Sequence, residues 1–291
     1  MPTFLLILTT IVWGSTFFII KDTIRNVDPF YLVFIRNLIA AVAMSLYVFA
    51  REDKKALFNT TTLVRGAVLG LLLATTYSSQ TIGLKYTTSG HSAFITGSAV
   101  IFVPILLFVI WRIKMHPVDI VSILGVFAGL FLLTWDGDGR INPGDLITLI
   151  TVAAYAVHLV SAGRFVQNVD VPAMIAHQFN FAALFSLIAY LVAGNGGLAV
   201  TTKSLYALAY LGFCGTLFCY FVTVWAQKHV SAVQVALIFA LEPVFAALFA
   251  WIFAGEKLYI KELAGMFLIL AGIIAYQTVK NLRDQRVAVR A

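Results

Sequence analysis

A glutamate followed at once by a proline, Glu242 and Pro243, stands near the middle of an apolar stretch, Ser231 to Leu258, that is long enough to cross a bilayer. A carboxylate at that depth costs from a few to roughly 10 kcal/mol or more, so it faces a cavity or a partner rather than lipid. Two roles stay open for the pair. The carboxylate can exchange protons during a transport cycle, or the proline can bend the helix by leaving the carbonyl one turn back without its hydrogen bond. Ser231, Gln234, Ile238 and Glu242 share one helix face, which should point inward. His158 is the next titratable group at depth. With an unperturbed pKa of ~6.5 a histidine can carry a proton or hydrogen-bond a ligand while neutral, and a satisfied packing histidine is the equal alternative. Arg36 must find a partner or snorkel; Glu242 is one conceivable partner, and a structural role is favoured.

Around these groups run polar stripes at helical spacing. Thr148, Thr151, Tyr155 and His158 share one face of one helix, and Thr216, Tyr220, Thr223 and Gln227 share one face of another. Shorter stripes are Thr9, Trp13 and Thr16; Thr76, Tyr77 and Gln80; and Ser89, Ser92 and Thr96. The candidate cavity set is Trp13, Thr16, Tyr77, Gln80, Ser92, Thr96, Tyr155, His158, Tyr220, Thr223 and Gln234, with Glu242 and Pro243 as proton-coupling or kink residues. Hydroxyls, amides and aromatic faces without a ring of Lys or Arg suit an uncharged, zwitterionic or weakly amphipathic small molecule. Taken singly, each Ser or Thr more often bonds its own backbone or a neighbouring helix, at ~0.6 kcal/mol.

The elements that must position these residues are membrane helices. Of the 291 residues 61% are hydrophobic and 11% charged, against about 25% charged in a soluble domain. Ten apolar runs are read: Thr3 to Ile20, Pro29 to Phe49, Leu63 to Gly83, Ser89 to Trp111, Val118 to Trp135, Asp145 to Phe165, Val171 to Ala193, Ser204 to Ala226, Ser231 to Phe253 and Tyr259 to Tyr276. The short alternating segments of a β-barrel are absent, so the fold class is an all-α integral membrane protein. The first run lacks a basic leader and a cleavage site, and is read as retained.

The net charge of +7 does not imply nucleic acid, because Lys and Arg sit in short loops and in the tail. Arg51, Lys54, Lys55, Arg65, Arg112, Lys114, Arg164, Lys228 and the tail from Lys280 to Arg290 outnumber Lys21, Arg25, Lys85, Arg140, Lys203, Lys257 and Lys261 on the opposite side. Both termini are therefore expected in the cytoplasm. Cys214 and Cys219 lie on different faces of one helix, fitting neither a disulfide nor a metal site, and no cofactor is expected. No GxxxxGK, HExxH or GxSxG occurs, so ATP hydrolysis by a P-loop and the commonest hydrolytic sites find no support.

The chain repeats itself. Thr9, Trp13, Thr16 and the tripeptide Asn26, Val27, Asp28 recur in register as Thr151, Tyr155, His158 and Asn168, Val169, Asp170. Tyr77, Gln80, Lys85, Ala93 and Gly129 align with Tyr220, Thr223, Lys228, Ala236 and Gly272, while Pro104 and Pro243 fall out of step by about one turn. Each half holds five runs, an odd number, so equivalent halves must enter the membrane in opposite senses. The expected division is 1–139, an inverted second half 140–279, and a basic tail 280–291, with Asp136 to Asp145 as a turn-rich linker. Inverted repeats are a recurrent construction of secondary carriers, with the site at the repeat interface near the midplane. The spacings Gly66 to Gly70 and Gly125 to Gly129 fit close helix approach, within the chain or in a dimer.

Leu241 to Ala246 with Gly255 and Glu256, and in the first half Gly83 to Tyr86, Phe94 to Gly97 and Val103 with Pro104, resemble the drug/metabolite transporter superfamily, and within it the EamA branch. The resemblance covers almost the whole chain. It implies ten helices in the bacterial cytoplasmic membrane around a cavity framed mainly by the first, third, fourth, sixth, eighth and ninth spans. Characterised relatives mostly export amino acids and related metabolites. The expected function is export of amino acids or related amphipathic or aromatic compounds by a non-ATP carrier, with lipid and a small-molecule substrate as partners, protons as a further candidate, and a monomer or weak dimer. The alternatives are uptake of a vitamin or other metabolite, and a membrane sensor or enzyme.

Overall fold

The structure, a computed structural model, describes residues 1–51, 55–134, 142–196, 201–254 and 257–290, apart from the side chains of 250, 253, 254 and 284–290. Lys54, Arg140, most of the linker, the motif residues Gly255 and Glu256, and the side chains of Arg286 and Arg290 thus lie outside the described residues. Among the described residues ten helices are long and apolar enough to cross a membrane: span 1 (Pro2–Thr23), span 2 (Pro29–Phe49), span 3 (Thr60–Tyr86), span 4 (Ser89–Trp111), span 5 (Pro117–Thr134), span 6 (Pro143–Phe165), span 7 (Val171–Ala193), span 8 (Thr202–Ala226), span 9 (Ala232–Phe249) and span 10 (Ile260–Arg283). No β-strand occurs among the described residues. The helix of span 10 continues to Arg290, past the apolar run that ends at Tyr276, because the Gln, Lys, Leu, Arg and Ala residues that follow are good helix formers. Large apolar side chains such as Leu46, Leu71 and Ile252 face outward while Thr9, Thr151 and Thr216 are fully buried, the reverse of a water-soluble surface.

The repeated Asn-Val-Asp tripeptide has a local cause. Asp28 accepts hydrogen bonds from the Phe30 and Tyr31 amides at 2.9 and 3.0 Å, and Asp170 accepts from Ala173 N at 2.9 Å. Each caps the next span, with Pro29 and Pro172 in the first turn, where no amide is missed. Each also reaches the other half: Asn195 N donates to Asp28 at 3.1 Å, and Arg51 grips Asp170 with both terminal nitrogens at 2.7 and 2.9 Å. The Arg51 hydrogen bonds hold the Asp170 carboxyl below the usual carboxylate range, against the opposing effect of burial.

Spans 4 and 9 are broken rather than merely bent. Span 4 consists of Ser89–Gly97 and Ala99–Trp111, and the ninth helix of Ala232–Phe239 and Glu242–Ala254. The breaks, at Ser98 and at Ala240 with Leu241, occupy equivalent positions of the two halves although the prolines do not. Glu242 and Pro243 consequently open a new helix segment, where a proline is tolerated.

Helix packing shows the twofold relation directly. Span 2 packs on span 7 and span 5 on span 10; span 3 packs on spans 6 and 7, as span 8 does on spans 1 and 2; span 1 meets span 9 as span 6 meets span 4. Exchanging each span with the one five later reproduces the same pairs. Glycines permit the closest of these approaches: a Cβ at Gly70 would stand 2.6 Å from Gln178 O of span 7, and one at Gly129 would stand 2.7 Å from Gly265 O of span 10. These contacts lie within the chain, as does that of Gly66 with span 7, while Gly125 has nothing within 4 Å.

Candidate functional site

Where spans 1, 3, 6, 8 and 9 converge, five rings pack edge to face. Trp13 stands edge-on to Tyr155, Tyr220 and Phe239 at centroid distances of 6.0, 5.3 and 5.0 Å. Tyr77 meets Tyr220 at 5.4 Å, and Tyr155 stacks on Phe239 at 6.3 Å. Trp13, Tyr77, Tyr155 and Tyr220, with Thr16, Thr76, Gln80, Thr96 and Glu242, wall a cavity of about 20 Å³. That holds about one water molecule, whereas a small-molecule site needs roughly 300 Å³ or more. The cavity as it stands is therefore too small for a substrate.

Its polar atoms are not all spoken for. Tyr155 Oη and Thr96 Oγ1 are buried without a hydrogen-bond partner. The Glu242 side chain is nearly enclosed and forms no ion pair or hydrogen bond among the described residues. An acceptor and two hydroxyls facing one small space can bind a polar ligand group directly, since buried polar groups are otherwise satisfied.

The wall is fastened behind the rings. Phe213–Phe218 of span 8 is wound as a π-helix, so Thr216 Oγ1 donates to Leu211 O, five residues back, at 2.8 Å. The Gly215 carbonyl in this turn accepts from Trp13 Nε1 at 2.8 Å, Tyr77 Oη at 2.8 Å and Arg36 Nη2 at 3.3 Å. Arg36 Nε also donates to Thr216 Oγ1 at 2.8 Å, and the guanidinium lies over the Tyr77 ring, 3.6 Å from its centroid. Arg36 is 0% exposed and has no carboxylate within ion-pair distance among the described residues, so the conceivable Glu242 partner is replaced by span 8. The hydrogen bonds and the cation–π contact offset part of a desolvation cost of several kcal/mol. Nη1 is left without a partner, at about 1–3 kcal/mol or more for a charged group.

Of the residues expected to line the cavity, Trp13, Thr16, Tyr77, Gln80, Thr96, Tyr155, Tyr220 and Glu242 come together at its wall. Ser92 lies one turn from Thr96, buried and unpartnered but off the wall. His158 stands behind Tyr220, edge-on at 5.2 Å, with Nε2 3.2 Å from Gln178 Oε1 and Nδ1 without a partner. Thr223 turns its hydroxyl to Cys219 O at 2.7 Å. Gln234 lies at the first turn of span 9 and bonds Gln277, at 2.8 Å, and Lys280 of span 10. These four share the predicted helix faces but sit at other depths, and helical periodicity fixes direction, not depth. Pro243 packs near Gly97, whose Cβ would lie 3.4 Å from its ring. Phe239 and Gly215 were not among the candidates. An apolar ring in an apolar run and a glycine bearing its function on its carbonyl give no compositional signal.

The family model described as the EamA-like transporter family matches residues 1–135 and 142–276. An uncharacterized transporter of Archaeoglobus fulgidus is 26% identical over 92% of this chain and 83% of its own length. The uncharacterized transporter YoaV of Bacillus subtilis is 24% identical over 92% and 94%, and the uncharacterized inner membrane transporter YedA of Escherichia coli is 25% identical over 94% and 89%. One crystal structure superposes with a TM-score of 0.78 at 16% identity, covering 95% of this chain and 96% of the other, which is a likeness of fold.

Proposed function

This chain belongs to the EamA-like transporter family of multi-pass membrane proteins that move small molecules, and from that premise we propose that it exports amino acids or related amphipathic and aromatic compounds by alternating access, without ATP. The observation that carries the reading is the buried aromatic cavity, built by both halves where their spans converge. Trp13, Tyr77, Tyr155 and Tyr220 enclose the apolar part of the substrate, and Thr16, Gln80, Thr96 and Tyr155 Oη bond its polar part. Glu242 exchanges a proton or meets a substrate cation. The Lys and Arg bias supports cytoplasmic termini, and kinship with an inner membrane transporter supports the bacterial cytoplasmic membrane.

The test uses purified protein in liposomes loaded with labelled amino acids, other metabolites and cationic dyes, with efflux followed with and without a pH gradient. Selective efflux of amino acids or aromatic acids is the expected result. Selective movement of another class, or of none by folded, inserted protein, would overturn it.

A further inference from the structure

Among the described residues Arg36 is the one fully buried cation next to the cavity, and its hydrogen bonds leave it incomplete. Its Nε and Nη2 face span 8, whereas Nη1 has no acceptor. Tyr77 connects the ion to the cavity: it lines the wall and carries the guanidinium 3.6 Å from its ring centroid. Thr16, also on the wall, approaches the same corner: a Cβ placed on Gly215 would lie 3.2 Å from Thr16 Cγ2 and 3.3 Å from Arg36 Nη2. A cavity of about 20 Å³ admits a substrate only if wall side chains move. Two of those walls, Trp13 and Tyr77, hang on the Gly215 carbonyl that Arg36 also shares.

We propose that Arg36 is the anion receptor of the central site, taking the carboxylate of the transported molecule on Nη1 once Tyr77 swings away from the Gly215 carbonyl. The inference rests on the carrier reading above and names the group within that site which selects substrates. A carboxylate suits Nη1 better than a phosphate does. A monoanion balances the single guanidinium charge through a charge-assisted hydrogen bond, while a dianion would meet a single cation with the Glu242 carboxylate in the same cavity. An amino acid zwitterion satisfies both ends, its ammonium group falling to Glu242. Arg36 is then a specificity-determining residue. Its stacking on Tyr77 keeps the ion shielded while the site is empty.

The experiment compares acids with their carboxamides, which keep the side chain and the amine and lose only the anion. Purified protein in lipid nanodiscs is titrated calorimetrically with L-phenylalanine, L-tryptophan, L-threonine and L-glutamine, and with the amide of each. Wild type is expected to bind at least one acid about tenfold or more tightly than its amide, because a site built around a buried charged donor rejects a ligand that leaves it unpaired. Arg36→Gln should bring that ratio near one, and Arg36→Lys should keep part of it. Folding is checked by circular dichroism and gel filtration. Should Arg36→Gln not fold, the wild-type ratio and the lysine variant decide. Amides binding as tightly as acids, no acid binding to folded wild type, or undiminished discrimination in a folded Arg36→Gln protein each overturn the assignment. Failure here is separable from failure of the carrier reading. A protein that moves amides or uncharged compounds across liposomes is still a carrier, whereas one that binds acids and moves nothing is not.

Discussion

Replacing Thr216 by valine tests whether span 8 holds the Arg36 ion. The two side chains are nearly isosteric and position 216 is fully buried, so packing changes little. Chemistry changes twice: Arg36 Nε loses its 2.8 Å acceptor, and Leu211 O loses its 2.8 Å side-chain donor. A hydrogen bond to a charged group contributes about 1.5–3 kcal/mol and a neutral one about 0.5–1.5, so the expected cost is about 2–4.5 kcal/mol. Tyr77→Phe provides the contrast. It removes one donor from the Gly215 carbonyl, which keeps Trp13 and Arg36, and it strands no buried group, so about 1 kcal/mol is expected. Thr216→Ser keeps the hydroxyl and loses one methyl group, about 1 kcal/mol. Unfolding free energies from SDS titration of the micellar protein, followed by far-ultraviolet circular dichroism, give the comparison. A valine variant no less stable than Tyr77→Phe would refute the idea that Thr216 carries the buried charge.

Glu242→Gln should abolish acceleration of liposome efflux by a pH gradient while substrate exchange at equal pH persists; gradient-driven efflux at the wild-type rate would exclude Glu242 as the proton carrier. Tyr155→Phe, which removes an unpartnered hydroxyl from the wall, should raise the half-saturating substrate concentration several-fold with membrane abundance unchanged, measured by the same assay and immunoblotting. The Arg51–Asp170 pair predicts an acid limit. Because the folded-state carboxyl is held low, its contribution is complete above the ordinary Asp value of ~3.9 and is lost as pH falls through the lowered one, so the stability loss of wild type on acidification should shrink in Asp170→Asn, as melting curves between pH 6 and 3 would show. Gly144→Ala should cost about 1–3 kcal/mol, since its Cβ would lie 2.6 Å from Gly83 O, whereas Gly163→Ala, with nothing nearer than 3.6 Å, should be neutral within about 0.5 kcal/mol in the same SDS titration.

The ten spans and the aromatic and hydroxyl wall were legible because both rest on one-dimensional signals: length of apolar run, and polar residues at helical spacing. Asp28 and Asp170 repeated because each half needs the same cap. What the spacing could not give was depth along the helix and anything borne by the backbone. Thr223 and His158 share a helix face with cavity residues and still lie outside the wall. The bend expected at Pro243 is a break at Ala240 with Leu241, whereas the matching break at Ser98 carried no mark, because Pro104 stands well beyond it inside the next segment. Arg36 was read as structural, yet its partners are a glycine carbonyl and a threonine hydroxyl some 180 positions away, which no local pattern records.

Hydrogen bonds and glycine contacts join the spans at both faces. At the face where span 1 ends, Lys21 donates to Thr87 O, Thr87 Oγ1 donates to Asp145, Asn142 donates to Thr87 Oγ1 at 3.3 Å, and His91 Nδ1 lies 3.6 Å from Asp145. Beneath them Gly83 and Gly144 bring spans 3 and 6 into backbone contact. Opening there must part a hydrogen-bonded cluster and a glycine seam together, and packed seams separate as units rather than by degrees. At the face where span 1 begins, spans 6 and 8 are joined by Gln227 Nε2 to Leu159 O at 2.7 Å, and Gly163 has only ordinary contacts at 3.6 and 3.8 Å. That face is fastened as well: Arg65 of span 3 donates to Phe165 O and Gln167 O at 2.9 and 3.0 Å, and Arg51 grips Asp170. With both faces fastened, occupancy of the site has to supply the free energy that parts either one.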